Sequence, residues 1–383
     1  MMLSNISMNV VKMSAAGSGK TWDICHDALN YANNGNRVLI VTYTNRGINS
    51  ILCEIKKQNG GVLHELIHVK TWYHFLLSDI IKPYQNYIVD RRNINFVKSI
   101  DFEYEDKKKR RPNKFKIGNP LRYMIGGNIK SDYASEMAYY INEYSHSKAI
   151  RRLSEIYAGI FFDEIQDLAG YDLQLIELLF DSSISITCCG DNKQATFSTH
   201  NSTKNKKKSG KNVWKFFHEY EAKGEIFFQK NLVSRRFNRS ICSFANGVFP
   251  MGDPISTKMQ EITEHDGVFL IGTDCLDSYY QYFHPQILRY DTNTYTYGYQ
   301  AVTFGSCKGE TFDRVLIFPN KPFSDYIFQG KTLAAPEKYY VAVTRPRYSI
   351  AIIADCLPFY LQGYEATDIV VGSEKITALR YIG

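Results

Sequence analysis

Ser14-Ala15-Ala16-Gly17-Ser18-Gly19-Lys20-Thr21 decides the fold. It stands between a β-branched run, Asn9–Ala15, and a helical pattern in which Ile24, Ala28 and Tyr31 share a face and Gly35 marks a stop. A Gly-rich turn that joins strand to helix and closes on Lys-Thr is the setting of a phosphate-binding loop. Gly17 and Gly19 let backbone N–H groups approach phosphate oxygens, and the helix N-terminus adds positive potential. Ala16, Gly17, Ser18, Gly19, Lys20 and Thr21 are therefore the candidate nucleotide contacts. Lys20 would neutralise the β- and γ-phosphates and Thr21 would hold Mg²⁺. Ser14 stands in the place of the motif's first glycine. A plain Gly-Ser turn before a helix is the competing reading, and Lys-Thr with these flanks argues against it.

Ile160-Phe161-Phe162-Asp163-Glu164 supplies the other half of such a site, an apolar strand ending in acid. Asp163 is the second candidate Mg²⁺ ligand. Glu164 is the right type to orient or deprotonate an attacking water. Alone, such a run is common; paired with residues 14–21 it points to a nucleoside triphosphate and its hydrolysis.

Outward from these motifs, short β-branched and aromatic runs recur: Val38–Thr44, Tyr157–Asp163, Ser185–Cys189, Glu225–Gln229, Gly267–Gly272, Gln300–Phe304, Arg314–Phe318 and Ser349–Ala354. Several lack polar alternation, as strands covered on both faces do. Helical patterns lie between some of them, such as Tyr171–Phe180 with Leu175, Leu178 and Leu179 on one side. The expected fold is α/β, with parallel sheets in two tandem domains divided near residue 220. Leu76–Ser154 carries helical patterns without clear strand signals, and Ser198–Val213 reads as a polar loop.

Composition sets the bounds. The 383 residues are 44% hydrophobic and 22% charged, which excludes disordered and fibrous classes. No apolar run approaches the ~18 residues of a membrane span, and the first residues lack a secretory pattern. The eight cysteines form no C-x-x-C pair, so the expectation is reduced thiols in a cytoplasmic protein without a disulfide framework or structural metal. The net charge of +7 is uneven, with basic blocks at Lys107–Lys116 and Lys204–Lys211. Phosphate-backbone contact and mere solvated loops both explain such blocks.

Further residues form a series. Val41-Thr42-Tyr43-Thr44-Asn45-Arg46 and Thr71-Trp72-Tyr73-His74-Phe75 precede Asp163-Glu164-Ile165-Gln166-Asp167. Gly190-Asp191-Asn192-Lys193-Gln194, Arg235-Arg236, Thr303–Phe312 with Lys308-Gly309, and Tyr340-Val341-Ala342-Val343-Thr344-Arg345 follow. In this order they resemble motifs I to VI of the UvrD-like branch of superfamily 1 helicases. Any one is weak; the ordered series is specific.

The resemblance implies two RecA-like P-loop domains that sandwich ATP and Mg²⁺. Residues 1–75 with 155–220 would form the first domain, 76–154 a reduced 1B insertion, and 221–383 the second domain. It implies catalytic roles for Lys20, Asp163, Glu164 and Gln194 in the first. Arg236 and Arg345 in the second would act as arginine fingers, where the competing reading is a surface salt bridge. Lys308 and Gly309 would meet the nucleotide. Thr42, Tyr43, Thr44, Thr71, Trp72, His74, Phe197 and Thr303 would meet a single strand, although an aromatic at 43 or 72 serves equally as core. The implied activity is an ATP-dependent translocase or helicase on single-stranded nucleic acid, DNA before RNA, moving 3′ to 5′. The alternative is an ATP- and nucleic-acid-sensing subunit that switches a partner nuclease.

Departures from the family bear on unwinding. No Gln precedes residue 14 to read adenine, the first being Gln58. Thr199 stands where a second base-stacking aromatic follows Phe197. Thr311 replaces an acid of motif V. The short interval Ile241–Val302 leaves subdomain 2B absent or vestigial.

Overall fold

Uninterrupted apolar runs make central strands, because a strand covered on both faces has no polar side to show. The computed structural model describes residues 9–89, 96–103, 114–195, 204, 205, 208 and 210–383, and it places these runs in the middle of two sheets, one in each of two compact units. The first unit ends at Lys230 and the second runs from Asn231 to Gly383, with Ser14–Gly19 grouped with the second by its contacts.

The first unit contains β1 (Asn9–Ser14), β2 (Val38–Thr42), β3 (Ile67–Thr71), β4 (Ser99–Asp101), β5 (Met124–Ile125), β6 (Asn128–Lys130), β7 (Gly159–Phe162), β8 (Ser185–Gly190) and β9 (Ile226–Asn231). Its main sheet has the order β3-β2-β7-β8-β1-β9. The pairs from β3 through to β1 are parallel. Every residue of β2 and β7 is buried. Helices Lys20–Asn33 and Asn45–Gln58 cover one face through Ile24, Ala28, Ile51 and Ile55. Helices Ala134–Tyr144, Tyr171–Phe180 and Val213–Ala222 share the larger core with Val11, Leu39, Ile160 and Ile186. The boundary falls after β9, later than residue 220, because β9 is an outer strand of the first sheet.

Two expectations need correction. The insertion is not strand-free: β4, β6 and β5 form a small sheet beside its helices. Strands of two or three residues are too short to show alternation. The segment expected as a loop up to Val213 already turns at Gly210–Asn212 in a 3-10 helix, and helix Val213–Ala222 begins at once. Phe197, Thr199, Lys107–Arg111, Lys206 and Lys207 lie outside the described residues.

The second unit contains β10 (Val233–Ser234), β11 (Ser256–Thr257), β12 (Gly267–Gly272), β13 (Gln286–Arg289), β14 (Val302–Thr303), β15 (Phe312–Phe318), β16 (Pro346–Ala354), β17 (Tyr364–Val371) and β18 (Glu374–Tyr381). Its sheet runs β14-β13-β15-β16-β12-β18-β17. From β14 to β12 it is parallel. β18 and β17 add an antiparallel hairpin, so this sheet is mixed and not purely parallel as expected. Gly372-Ser373 makes the two-residue turn, with Gly372 at φ +64°.

Candidate functional site

Parallel strands end on one edge of their sheet, and loops from that edge converge. On the first sheet, β2 leads into Thr42–Asn45, β7 into Asp163-Glu164, and β8 into Asp191–Gln194. β1 leads into Ser14–Gly19, and helix Lys20–Asn33 follows directly. β8 lies between β1 and β7, so the loop and the acids flank the residues after Gly190.

The loop has the backbone that its glycines allow. Gly17 and Gly19 take φ +71° and +99°, and a β-carbon on Gly17 would stand 2.5 Å from Arg236 Cβ. The Arg235 N–H donates to the Gly17 carbonyl at 2.8 Å. Ala15 and Ala16 are buried, Lys20 and Thr21 half-buried. The buried Ser18 Oγ has no hydrogen-bond partner among the described residues. A buried hydroxyl without a partner is costly, and a phosphate oxygen in the cradle would satisfy it. The donor set, with Thr21 hydroxyl and Asp163 carboxylate as hard oxygen ligands, fits a nucleotide phosphate with Mg²⁺.

Burial pushes the Cys189 thiol up to about 12, with Lys20 pulling it down and Asp163 pushing it further up. The loop lysine and the acid therefore both act on one buried thiol near the end of β8.

The acids are held tightly. Glu164 has φ +57°, a left-handed conformation rare for a side chain with a β-carbon, and its N–H donates to Asp163 Oδ1 at 2.9 Å. Gln166 is fully buried. Its Nε2 donates to Glu164 Oε2, and its Oε1 accepts from the Asp191 N–H at 3.0 Å. Asp191 Oδ2 accepts from Gln194 Nε2 at 3.0 Å. A continuous chain of hydrogen bonds thus runs from Glu164 to Gln194. Gln166 and Asp191 extend the candidate set: each stands in one of the quoted motifs, but the two lie too far apart along the chain for spacing to show that they meet.

In the second unit, Arg345 is buried, with Nε donating to Val341 O at 2.9 Å and Nη1 to Glu310 O at 3.2 Å. It is no surface salt bridge. Arg236 Nη1 donates to Thr344 O at 3.1 Å, so both arginines bear on the same turn. Gly309 has φ +86° with open space at its β-carbon, beside half-buried Lys308. Thr303 ends β14, with Oγ1 2.6 Å from the exposed Ser306 Oγ.

The strand-contact candidates divide. Thr44 and His74 are exposed. Thr44 also caps helix Asn45–Gln58 through Gly47 N at 3.0 Å, and Thr71 caps helix Trp72–Phe75 through His74 N at 3.2 Å. Thr42 is buried beneath Gly47. Tyr43 donates to the Tyr73 hydroxyl at 3.2 Å, and burial pushes its own hydroxyl pKa up. Trp72 is corrected: its indole is 2% exposed, Nε1 donates to Asp172 Oδ1 at 3.0 Å, and the ring packs on Phe75 and Phe162. It is core and offers no face to a base.

Comparison with known proteins adds a likeness over part of the chain. Residues 83–206 match the model of the UvrD/REP helicase N-terminal domain. No curated protein matches the chain. Among solved structures, an arterivirus nonstructural protein 10 (helicase) in complex with DNA is similar at 14% identity and a TM-score of 0.45, over 92% of this chain and 61% of that one. This chain therefore spans about three-fifths of that helicase's length. The likeness to the UvrD/REP helicase N-terminal domain thus extends over residues 83–206, about a third of the chain.

Proposed function

We propose that the protein is a nucleic-acid-stimulated ATPase that translocates on single-stranded DNA, 3′ to 5′, with RNA as a poorer track. One observation carries the reading: the carboxyl edge of the first sheet gathers the loop before Lys20, the acids Asp163-Glu164 and Gln194, and Gln166 ties the last two together. Lys20 and the loop N–H groups would bind the phosphates; Thr21 and Asp163 would hold the metal. Mg²⁺, when bound, would neutralise developing phosphate charge. Glu164 would take a proton from the attacking water, with Gln166 fixing its carboxylate. Arg236 and Arg345 would stabilise charge in the transition state after leaving their carbonyl partners, and Lys308-Gly309 would border the nucleotide. Thr44, Thr71, His74, Thr303 and Phe197 remain the proposed strand contacts, with Thr42 and Tyr43 acting from beneath.

We read the two units as RecA-like domains 1A and 2A, with 1B reduced and 2B absent or vestigial. All eight cysteines are free, which supports a reducing, cytoplasmic setting. No helix among the described residues is long and apolar enough to cross a membrane.

Strand displacement tests the reading. The purified protein should consume ATP on single-stranded DNA yet open a long tailed duplex poorly, because the strand-separating parts are thin. Processive opening at physiological salt would restore a full helicase. ATP turnover that responds only when a nuclease partner is added would favour the regulatory alternative.

A further inference from the structure

The carboxyl edge of the second sheet carries a cavity of about 460 Å³ that none of the motifs uses, lined in part by Thr294, Tyr295, Tyr297, Phe318, Ser324 and Asp355. Its walls come from the loop after β13, the ends of β15 and β16, and helix Lys321–Gln329. Tyr297 stacks on Phe318, centroids 5.9 Å apart at 30°, and Tyr295 leans on Tyr297 at 4.8 Å. Tyr295 is nonetheless 72% exposed.

The loop that presents these rings is firmly built. Asp291 Oδ1 accepts from the Asn293 N–H at 3.0 Å and from the Thr294 N–H and hydroxyl at 3.1 Å. The Thr296 hydroxyl donates to Tyr299 O at 2.8 Å. Tyr297 sits at φ +51°, a strained conformation that persists only where its surroundings impose it. Its hydroxyl reaches Asp355 Oδ1 at 3.4 Å.

A stacked Tyr297–Phe318 pair, with the exposed Tyr295 ring tilted 53° to Tyr297, offers aromatic faces to a flat π-system, and a cavity of this order accommodates one. The Asp355 carboxylate accepts hydrogen bonds and repels phosphate, so the base of a nucleic acid fits there and its backbone does not. An exocyclic amine, as on cytosine or adenine, would donate to that carboxylate; thymine has none. The neighbouring strand supplies backbone contacts: Arg289 pairs in register with Thr303, and the Thr303–Ser306 hydroxyls lie at the same sheet edge.

We propose that Tyr295, Tyr297 and Phe318 form a stacking site for one unpaired, amine-bearing base of the bound single strand. The inference rests on the reading of a single-strand ATPase and names where a base docks.

Fluorescence anisotropy with oligo-dC and oligo-dT tests it. Wild type should bind oligo-dC more tightly. Tyr295→Ala should weaken oligo-dC binding by roughly tenfold, and Tyr295→Phe should restore it. Asp355→Asn should shrink the dC-over-dT preference. Unchanged affinity in Tyr295→Ala, with wild-type binding intact, would overturn this site and leave the ATPase reading standing. Free dCMP displacing oligo-dC at equal concentration would make the cavity a mononucleotide site and overturn the strand proposal. No single-strand binding by wild type would overturn both.

Discussion

Glu164 is held by strain below and by Gln166 beside it. A left-handed side chain costs energy that its surroundings must hold in place, and here the surroundings are the Asp163 carboxylate and the buried amide. Glu164→Gln keeps the shape and loses the base, so it should retain ATP binding and lose most turnover; Lys20→Ala should lose both. Turnover of Glu164→Gln near the wild-type rate would remove the catalytic assignment. Arg345 carries a second expectation. Arginine fingers are worth 10³-fold or more in rate, so Arg345→Ala should drop turnover on that scale. The loss of two hydrogen bonds from a buried guanidinium also predicts a lower Tm, at about 0.5–1.5 kcal/mol per bond. Arg345→Lys should recover little of the rate, because an ammonium cannot reproduce the fork. Residue types at the proposed nucleotide site were legible because phosphate and metal chemistry restricts them. Gln166's tie to Asp191 was not, because sequence order says nothing of which loops meet.

At the scale of elements, Trp72 shows how a motif residue can serve the fold. Asp172 accepts from the Trp72 indole, from the Ser135 hydroxyl and from the Ala169 N–H, joining three helices of the first unit. Trp72→Ala should destabilise that unit by about 3–5 kcal/mol, read from denaturant midpoints. Trp72→Phe should bind single strands as wild type does; a large affinity loss in a folded Trp72→Phe would return the residue to the strand interface. Gly190 packs as closely: an added β-carbon would lie 2.5 Å from Gln166 Oε1 and 2.8 Å from Ile165 Cγ1. Gly190→Ala should therefore slow turnover by displacing Gln166. Elements were legible where burial is two-sided, as in β2 and β7. β3, Ile67-His68-Val69-Lys70-Thr71, escaped because an outer strand tolerates His and Lys. The β17–β18 hairpin escaped although its alternation about Gly372-Ser373 is regular, because attention to continuous apolar runs passes over one-sided strands.

For the whole molecule, charge and pH set the conditions of action. Single-strand affinity should fall steeply from low to physiological salt if phosphate contacts dominate; a flat salt dependence would argue that stacking carries binding. Stability should also fall with acid. His265 lies between Phe269 and Phe283, and burial, then Arg314 and Arg380, lower its pKa to about 3. The unfolded chain takes up this proton near pH 6.5 and the folded one does not. Stability is thus fully present above about pH 6.5 and declines by about 1.4 kcal/mol per pH unit toward pH 3. Urea unfolding across that range should show the slope, and His265→Phe should flatten it. The two-unit plan was legible from alternating strands and helices, whereas its division after β9 depends on sheet pairing that sequence does not display. The most direct measurement of the central claim is steady-state ATP turnover with and without a single-stranded DNA oligonucleotide. Turnover should depend on Mg²⁺, rise severalfold or more with the oligonucleotide, and be lost in Lys20→Ala. Turnover indifferent to the oligonucleotide, or surviving in Lys20→Ala, would contradict that claim.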